Sequence, residues 1–311
     1  MLTHHPNITF LSKEEIDKSK WDHLIQSAPN AHIYSTRLYL NLFTANWGAL
    51  VFGDYQVVMA VPYKVKFGIK YTYTPVGIAQ LGLIGNDIDE KMEVLFIENL
   101  HKHFKYGMLH LNPSFSKKNA ERYGMKWKTN FVLPLNEDYE TLSKNYTKDA
   151  KRNLRLANQI IQQVSYQVDT EEIKQAFMQQ YGKRGNTQKL AADYTVFARN
   201  LEILCEKEMA FKIAIRTEGQ ELLGAGVFAQ FKNRLYYVFG APTSLGRSNQ
   251  TTHVLIDAII QKFASTNTLL DFEGSSIPSV AMFYKKFSPT DEPYPLHRFN
   301  HLPGILKLFK K

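Results

Sequence analysis

Two carboxylates two residues apart, Asp271 and Glu273, close a hydrophobic run in the stretch LLDFEGSSIPSVAMFYKKF, residues 269–287. Gly274, Ser275 and Ser276 follow, then Pro278 and an apolar segment that ends in Tyr284, Lys285 and Lys286. If 269–273 is a strand, its alternation sets Asp271 and Glu273 on one side and Phe272 on the other. At the carboxyl end of a strand in an α/β domain, that side opens where ligands bind. One carboxylate there would take a proton from an attacking amine, and its neighbour's charge would raise its pKa toward that task. Gly274 and a helix start marked by Pro278 leave backbone N–H groups for an anion or an oxyanion. The same acids also suit a plainer role, capping the next helix or pairing with nearby lysines.

These residues depend on the elements before them. FKIAIR, ELLGAGVFAQF and LYYVF, within 211–239, read as three strands joined by the polar turns TEGQ and KNR. The loop GAPTSLGRSNQ leads into THVLIDAIIQKF, where Ile256, Ile259, Ile260 and Phe263 recur at the spacing of one helical face. Strand LLDFE comes next, then a short helix with Val280, Phe283, Tyr284 and Phe287 as its buried stripe. The first half repeats the order: strands ALVFG, QVVMAVPYKVKF and KYTYT, the loop PVGIAQLGLIGND, helix EKMEVLFIENLHKHF, strand GMLHLN and helix SKKNAERYG. Laying Gln56 on Glu221 without gaps superposes the hydrophobic positions and sets Tyr71 over Tyr236. The expectation is two similar domains of mixed, largely antiparallel sheet flanked by helices, the first over 1–140 and the second over 166–311. Between them, 141–165 reads as a linker helix with Ala150, Leu154, Ala157 and Ile161 as its seam. Lys148, Lys151, Arg152 and Arg155 stand opposite, either as a solvated face or as a phosphate-binding stripe.

With 311 residues the chain is long enough for two cores, and it needs no disulfide or metal to fold. Lys and Arg number 38 against 29 Asp and Glu, a net charge of +9 that favours polyanionic partners. Cys205 stands alone, which excludes an internal disulfide and suits a reducing compartment. No secretory leader is legible at the N-terminus and no apolar run reaches membrane-spanning length, so the sequence reads as cytoplasmic, without stable membrane insertion. The tail LPGILKLFKK reads either as an interfacial anchor or as Leu302, Ile305 and Leu306 packing on the first domain. P-loop, dinucleotide, zincin and serine-hydrolase motifs are absent, and the ten histidines are scattered rather than spaced as metal ligands.

The pieces KRNLRLAN (151–158), the sheet of 211–240 and DFEGSSIPSVAMFYKKF together resemble the FemAB-like branch of the GNAT acyltransferase superfamily. IYSTRLYLNLF (33–43) and TPVGIAQLGL (74–83) are similar to the N-terminal domain of such proteins in tone rather than motif. The resemblance implies two GNAT-like domains and transfer of an acyl or aminoacyl group to an amine. The donor would be aminoacyl-tRNA or acyl-CoA, bound as a co-substrate, and the acceptor a small molecule or a cell-wall-precursor-like amine. Three departures bear on this. Fem enzymes commonly carry F-K-x-x-F in the last helix, where this chain has Tyr284 in the lysine's place and Lys285 after it. Arg152, Asn153 and Arg155 match the R-N-I-R-K-A-x-K linker pattern, but Asn158 replaces its final lysine. The acetyl-CoA loop of ordinary GNAT enzymes is not intact in TSLGRSNQT (243–251).

The expected site therefore has Asp271 and Glu273 near the acceptor amine and Tyr284 with Lys285 near the oxyanion. Gly274 and Ser275 would line the strand end, Lys151, Arg152 and Arg155 would hold phosphates, and Arg37, Tyr73 and Gln80 are polar residues of the first half suited to line a cleft. A non-catalytic protein that binds tRNA or another nucleic acid and keeps only the fold is the competing expectation.

Overall fold

The computed structural model describes residues 8–160, 162–181, 187–274 and 277–304. It divides into two compact units, residues 1–129 with 293–311, and residues 130–292.

The first unit contains β1 (Ile8–Ser12), α1 (Lys18–Ser27), α2 (Arg37–Phe43), β2 (Trp47–Phe52), β3 (Val57–Lys66), β4 (Ile69–Tyr73) and β5 (Leu83–Gly85). It continues with α3 (Glu90–His103), β6 (Tyr106–His110), α4 (Lys117–Arg122) and β7 (Lys126–Lys128). The second unit begins with β8 (Phe131–Pro134), α5 (Tyr139–Lys144), α6 (Lys148–Ala157), β9 (Gln162–Ser165), α7 (Thr170–Tyr181) and α8 (Thr187–Glu206). Then come β10 (Ala210–Thr217), β11 (Leu222–Phe231), β12 (Arg234–Pro242), α9 (Ser244–Ser248), α10 (Thr251–Phe263), β13 (Leu269–Asp271), α11 (Pro278–Tyr284) and β14 (Thr290–Asp291). The last strand, β15 (Tyr294–Asn300), returns to the first unit.

The two sheets share one plan. The first runs β1-β2-β3-β4-β6-β15-β7 with β5 on β3, and the second, read in the same sense, runs β9-β10-β11-β12-β13-β8-β14. Each contains a parallel pair, β4 with β6 and β12 with β13, and its other pairings are antiparallel. The repeat read from hydrophobicity holds in register: β3 and β11 begin one residue after Gln56 and Glu221, and β4 and β12 begin at matching positions.

In both sheets the strand beyond the parallel pair is remote in sequence. β15 pairs with β6 and β7, and β8 pairs with β13 and β14. Thus the unit boundaries differ from those read in the sequence: 130–140 falls in the second unit and 293–300 in the first. Each strand satisfies the backbone groups of an edge that local sequence leaves open, and the hydrophobic pattern within a strand does not name so remote a partner.

The basic linker is two helices rather than one. Asn145 and Tyr146 interrupt it, and Thr147 caps α6 by accepting a hydrogen bond from the Ala150 N–H. Ala150 and Ala157 of the expected seam are buried, Leu154 packs against the same core, and Ile161 lies outside the described residues. That core gathers Ile256, Ile259 and Ile260 of α10 with Leu270, Phe272, Tyr284 and Phe287, as the periodicity requires.

Candidate active site

β12 and β13 run parallel only as far as the pair Tyr236 and Asp271. Beyond it β12 continues to Pro242, while the chain leaving β13 turns away at Phe272. A cavity of about 500 Å³ opens where the two part, at the carboxyl ends of the parallel strands. One wall is Tyr237, Val238, Phe239, Gly240 and Pro242 of β12, and the facing wall is Phe272, Glu273 and Gly274. Ile277 and residues of α11, including Phe283 and Tyr284, close it further, with Thr252 of α10 and Phe177 of α7.

The turn at the strand end explains how Glu273 enters the cavity. Glu273 and Gly274 both take the left-handed conformation, with φ of 44° and 56°. Glycine adopts it without cost, but a glutamate there is conformationally strained. The expected alternation fails because the strand stops at Asp271, so Asp271 and Glu273 do not share a side. Asp271 is fully buried and does not line the cavity. Its Oδ1 accepts from Asn130 Nδ2 and from the Glu273 N–H, each at 3.0 Å. Its Oδ2 accepts from Arg234 Nε at 3.0 Å and Nη2 at 2.6 Å. A carboxylate with four donors is an anchor: it ties the turn to Asn130, just before β8, and to Arg234 of β12, and sets the Glu273 backbone. Arg234 also bonds Glu292. Burial opposes the guanidinium's charge, yet Asp271 and Glu292 outweigh it and raise the Arg234 pKa.

Glu273 occupies an apolar surrounding, and burial pushes its carboxyl up to about 8. The cause is desolvation, not the neighbouring aspartate that the sequence suggested. Tyr284 packs at 4.7 Å from the Phe272 ring and edge-on to Tyr237 at 6.2 Å, so its position on the cavity wall is held on two sides. Lys285 lies in the turn after α11, is exposed, places Nζ 5.5 Å from the centre of the Phe131 ring and does not line the cavity. Among the described residues no Lys, Arg or His lines the cavity.

The basic stripe on α6 is exposed. Lys151 Nζ donates to the Lys144 carbonyl at 2.7 Å, and Arg152 pairs with Asp149 at 3.1 Å. Arg155 sits in the last turn of the same helix. Two bonds fix α6 to the cavity's surroundings: the Thr147 N–H donates to the Lys286 carbonyl at 3.0 Å, and Asn153 Nδ2 donates to His253 Nε2 at 3.1 Å. The His253 ring packs edge-on to Phe283, 4.9 Å away, and burial with Lys286 nearby lowers its pKa to about 4. It is therefore a neutral spacer between α6 and the cavity wall.

Arg37, Tyr73 and Gln80 belong to the first unit and are not among the lining residues. Arg37 pairs with Asp22, Tyr73 lies under Lys64 Nζ at 4.6 Å, and Gln80 is buried with no hydrogen-bond partner for Oε1 among the described residues. Ser275 lies outside the described residues. The aromatic walls, Phe177, Tyr237, Phe239, Phe272 and Phe283, are the cavity residues that sequence reading missed as a site. Their only signal was hydrophobicity, which a core produces equally.

No family model matches the chain, and no curated protein matches its sequence. Similarity emerges among solved structures. FemX superposes with a TM-score of 0.68 at 12% identity, over 95% of this chain and 99% of FemX. A conserved protein of unknown function from Bacteroides thetaiotaomicron gives 0.58 at 8% identity, over 94% of this chain and 100% of that one. L-PGS from Bacillus licheniformis gives 0.52 at 10% identity, over 94% of each chain. The chain thus shares the fold of FemX across nearly its whole length.

Proposed function

We propose that the second unit transfers an acyl or aminoacyl group from an activated ester or thioester to an amine, with Glu273 as general base. The observation that supports this reading is a partly buried carboxylate in a turn strained to bring it into a largely apolar cavity at a parallel strand end, where desolvation raises its pKa to about 8. A base with a pKa near the working pH combines a usable ionised fraction with enough affinity for the proton. In the proposed reaction the amine lone pair attacks the carbonyl carbon and Glu273 accepts the proton that the nitrogen sheds. The tetrahedral oxyanion collapses, expelling the alcohol or thiol, to which Glu273 returns the proton. Tyr284, on the cavity wall, supplies the hydroxyl that donates to the oxyanion. Asp271 positions Glu273 and takes no proton. Gly274 gives the backbone room to approach the acyl group.

Among the described residues no basic side chain lines the cavity, which supports reading it as the place of the acyl end of the donor rather than of its phosphates. Phosphates of an aminoacyl-tRNA or an acyl-CoA would then stay outside it, with Lys151, Arg152 and Arg155 as their proposed contacts. The resemblance read in the sequence makes aminoacyl-tRNA the donor to try first, with a small-molecule or cell-wall-precursor-like amine as acceptor. The experiment supplies labelled aminoacyl-tRNA or acyl-CoA with a panel of amines and compares wild type with Glu273→Gln. Loss of about 10²–10⁴-fold in transfer, with folding intact, is the expected result. Equal transfer by the two proteins would remove Glu273 from the mechanism, and binding of tRNA with turnover of neither donor class would favour the non-catalytic reading.

A further inference from the structure

The β3–β4 hairpin carries a residue that local physics disfavours. Lys66 pairs with Ile69, leaving Phe67 and Gly68 as a two-residue turn in which both have positive φ, 51° and 74°. That is the demand of a type I′ turn, which asparagine followed by glycine meets with least strain. Gly68 fits. Phe67 does not: a bulky side chain in the left-handed region is a conformational outlier, and here it recovers no burial, since 91% of it is exposed. Beside it Val65 is 57% exposed, and the flanking strands carry the exposed Lys64, Lys66 and Lys70, with Lys64 Nζ over the Tyr73 ring and Lys70 Nζ over the Tyr63 ring. Lys66 Nζ is 5.4 Å from the Phe67 ring centre. No aspartate or glutamate occurs from Tyr55 through Asn86, so the hairpin's charge is of one sign.

We infer that this hairpin tip docks the protein peripherally on an anionic lipid surface, with Phe67 and Val65 entering the headgroup boundary and the three lysines meeting lipid phosphates. An apolar tip on a hairpin whose exposed charges are all lysines is complementary to a layer that is negative outside and apolar beneath. A single-stranded nucleic acid also pairs phosphate with a stacking face, but it gains little from an exposed branched aliphatic such as Val65. Lysines also suit lipid phosphates as point charges, without the planar guanidinium that stacks on bases. Among the described residues no helix is long and apolar enough to cross a membrane, so the docking is reversible and superficial.

The variant that tests this is Phe67→Asn, because asparagine suits the turn better than phenylalanine and the fold keeps or gains thermal stability. The full chain is sedimented with vesicles of phosphatidylglycerol and phosphatidylcholine, and with vesicles of phosphatidylcholine alone. Wild type is expected to pellet with the anionic vesicles only. Phe67→Asn should weaken partitioning about tenfold, and each of Lys64→Gln, Lys66→Gln and Lys70→Gln about fivefold. Equal pelleting of wild type and Phe67→Asn would overturn the inference, as would equal partitioning onto both vesicle types. Failure to pellet, combined with binding of single-stranded RNA that Phe67→Asn abolishes, would overturn it in favour of a nucleic-acid contact. Circular dichroism melting of each variant confirms that a lost interaction is not a lost fold.

Discussion

Glu273 and Asp271 stand two residues apart and do opposite work. Burial raises the Glu273 pKa because the apolar cavity penalises its charge, and that penalty has a sign in stability as well as in rate. With a folded pKa above its unfolded value, Glu273 contributes stability that is fully present below the ordinary carboxylate range and is lost as pH rises through about 8. Wild type should therefore weaken against Glu273→Gln between these limits, with the variant the more stable at alkaline pH in urea titrations. A pH-independent difference would contradict the assignment. Transfer should rise with pH toward a plateau above about 8, since the ionised carboxylate is the base. For Asp271→Asn the expected result is different: a buried charge pair loses one member, at a cost of about 3–5 kcal/mol in denaturant unfolding. A small stability change in that variant would mean that Arg234 rests on Glu292 alone.

At the level of elements, α6 links the basic stripe to the core. Thr147→Ala removes its cap, and unfolding titrations should show a loss of about 1 kcal/mol. If Lys151, Arg152 and Arg155 all meet tRNA phosphates, replacing the three by glutamine should lower the salt-dependence slope of tRNA binding by roughly 2. An unchanged slope would place the phosphates elsewhere. Much at this scale was legible in the sequence. Period-2 and period-3.6 hydrophobicity located β3, β4, β10, β11, β12 and α10, and the repeat between the halves emerged in register. The break between α5 and α6 was hidden because Asn145, Tyr146 and Thr147 interrupt the helix without proline or glycine, and the cap is decided by geometry. The end of β13 was hidden for a related reason: only two consecutive left-handed residues, one of them a glutamate, separate strand from turn. Arg234 was invisible as Asp271's partner because strand pairing, not sequence proximity, brings them together.

On the scale of the whole chain, the last strand completes the first sheet, since β15 lies between β6 and β7. Removing 293–311 should therefore expose amides in Tyr106–His110 to rapid hydrogen exchange while protection in β11 and β12 survives. Retained protection in β6 would show that the first unit closes without its C-terminal strand. The similarity to FemX extends over both units, so the fold they share includes both sheets rather than one of them. Its proposed chemistry rests on the charge state of one carboxyl in one cavity. The direct test is a carbon-13 NMR titration of carboxyl-labelled glutamates in the full chain, with Glu273→Gln used to assign the resonance. The account predicts a resonance, absent from the variant, that titrates at about 8. An assigned Glu273 resonance titrating in the ordinary carboxylate range would contradict the general-base role.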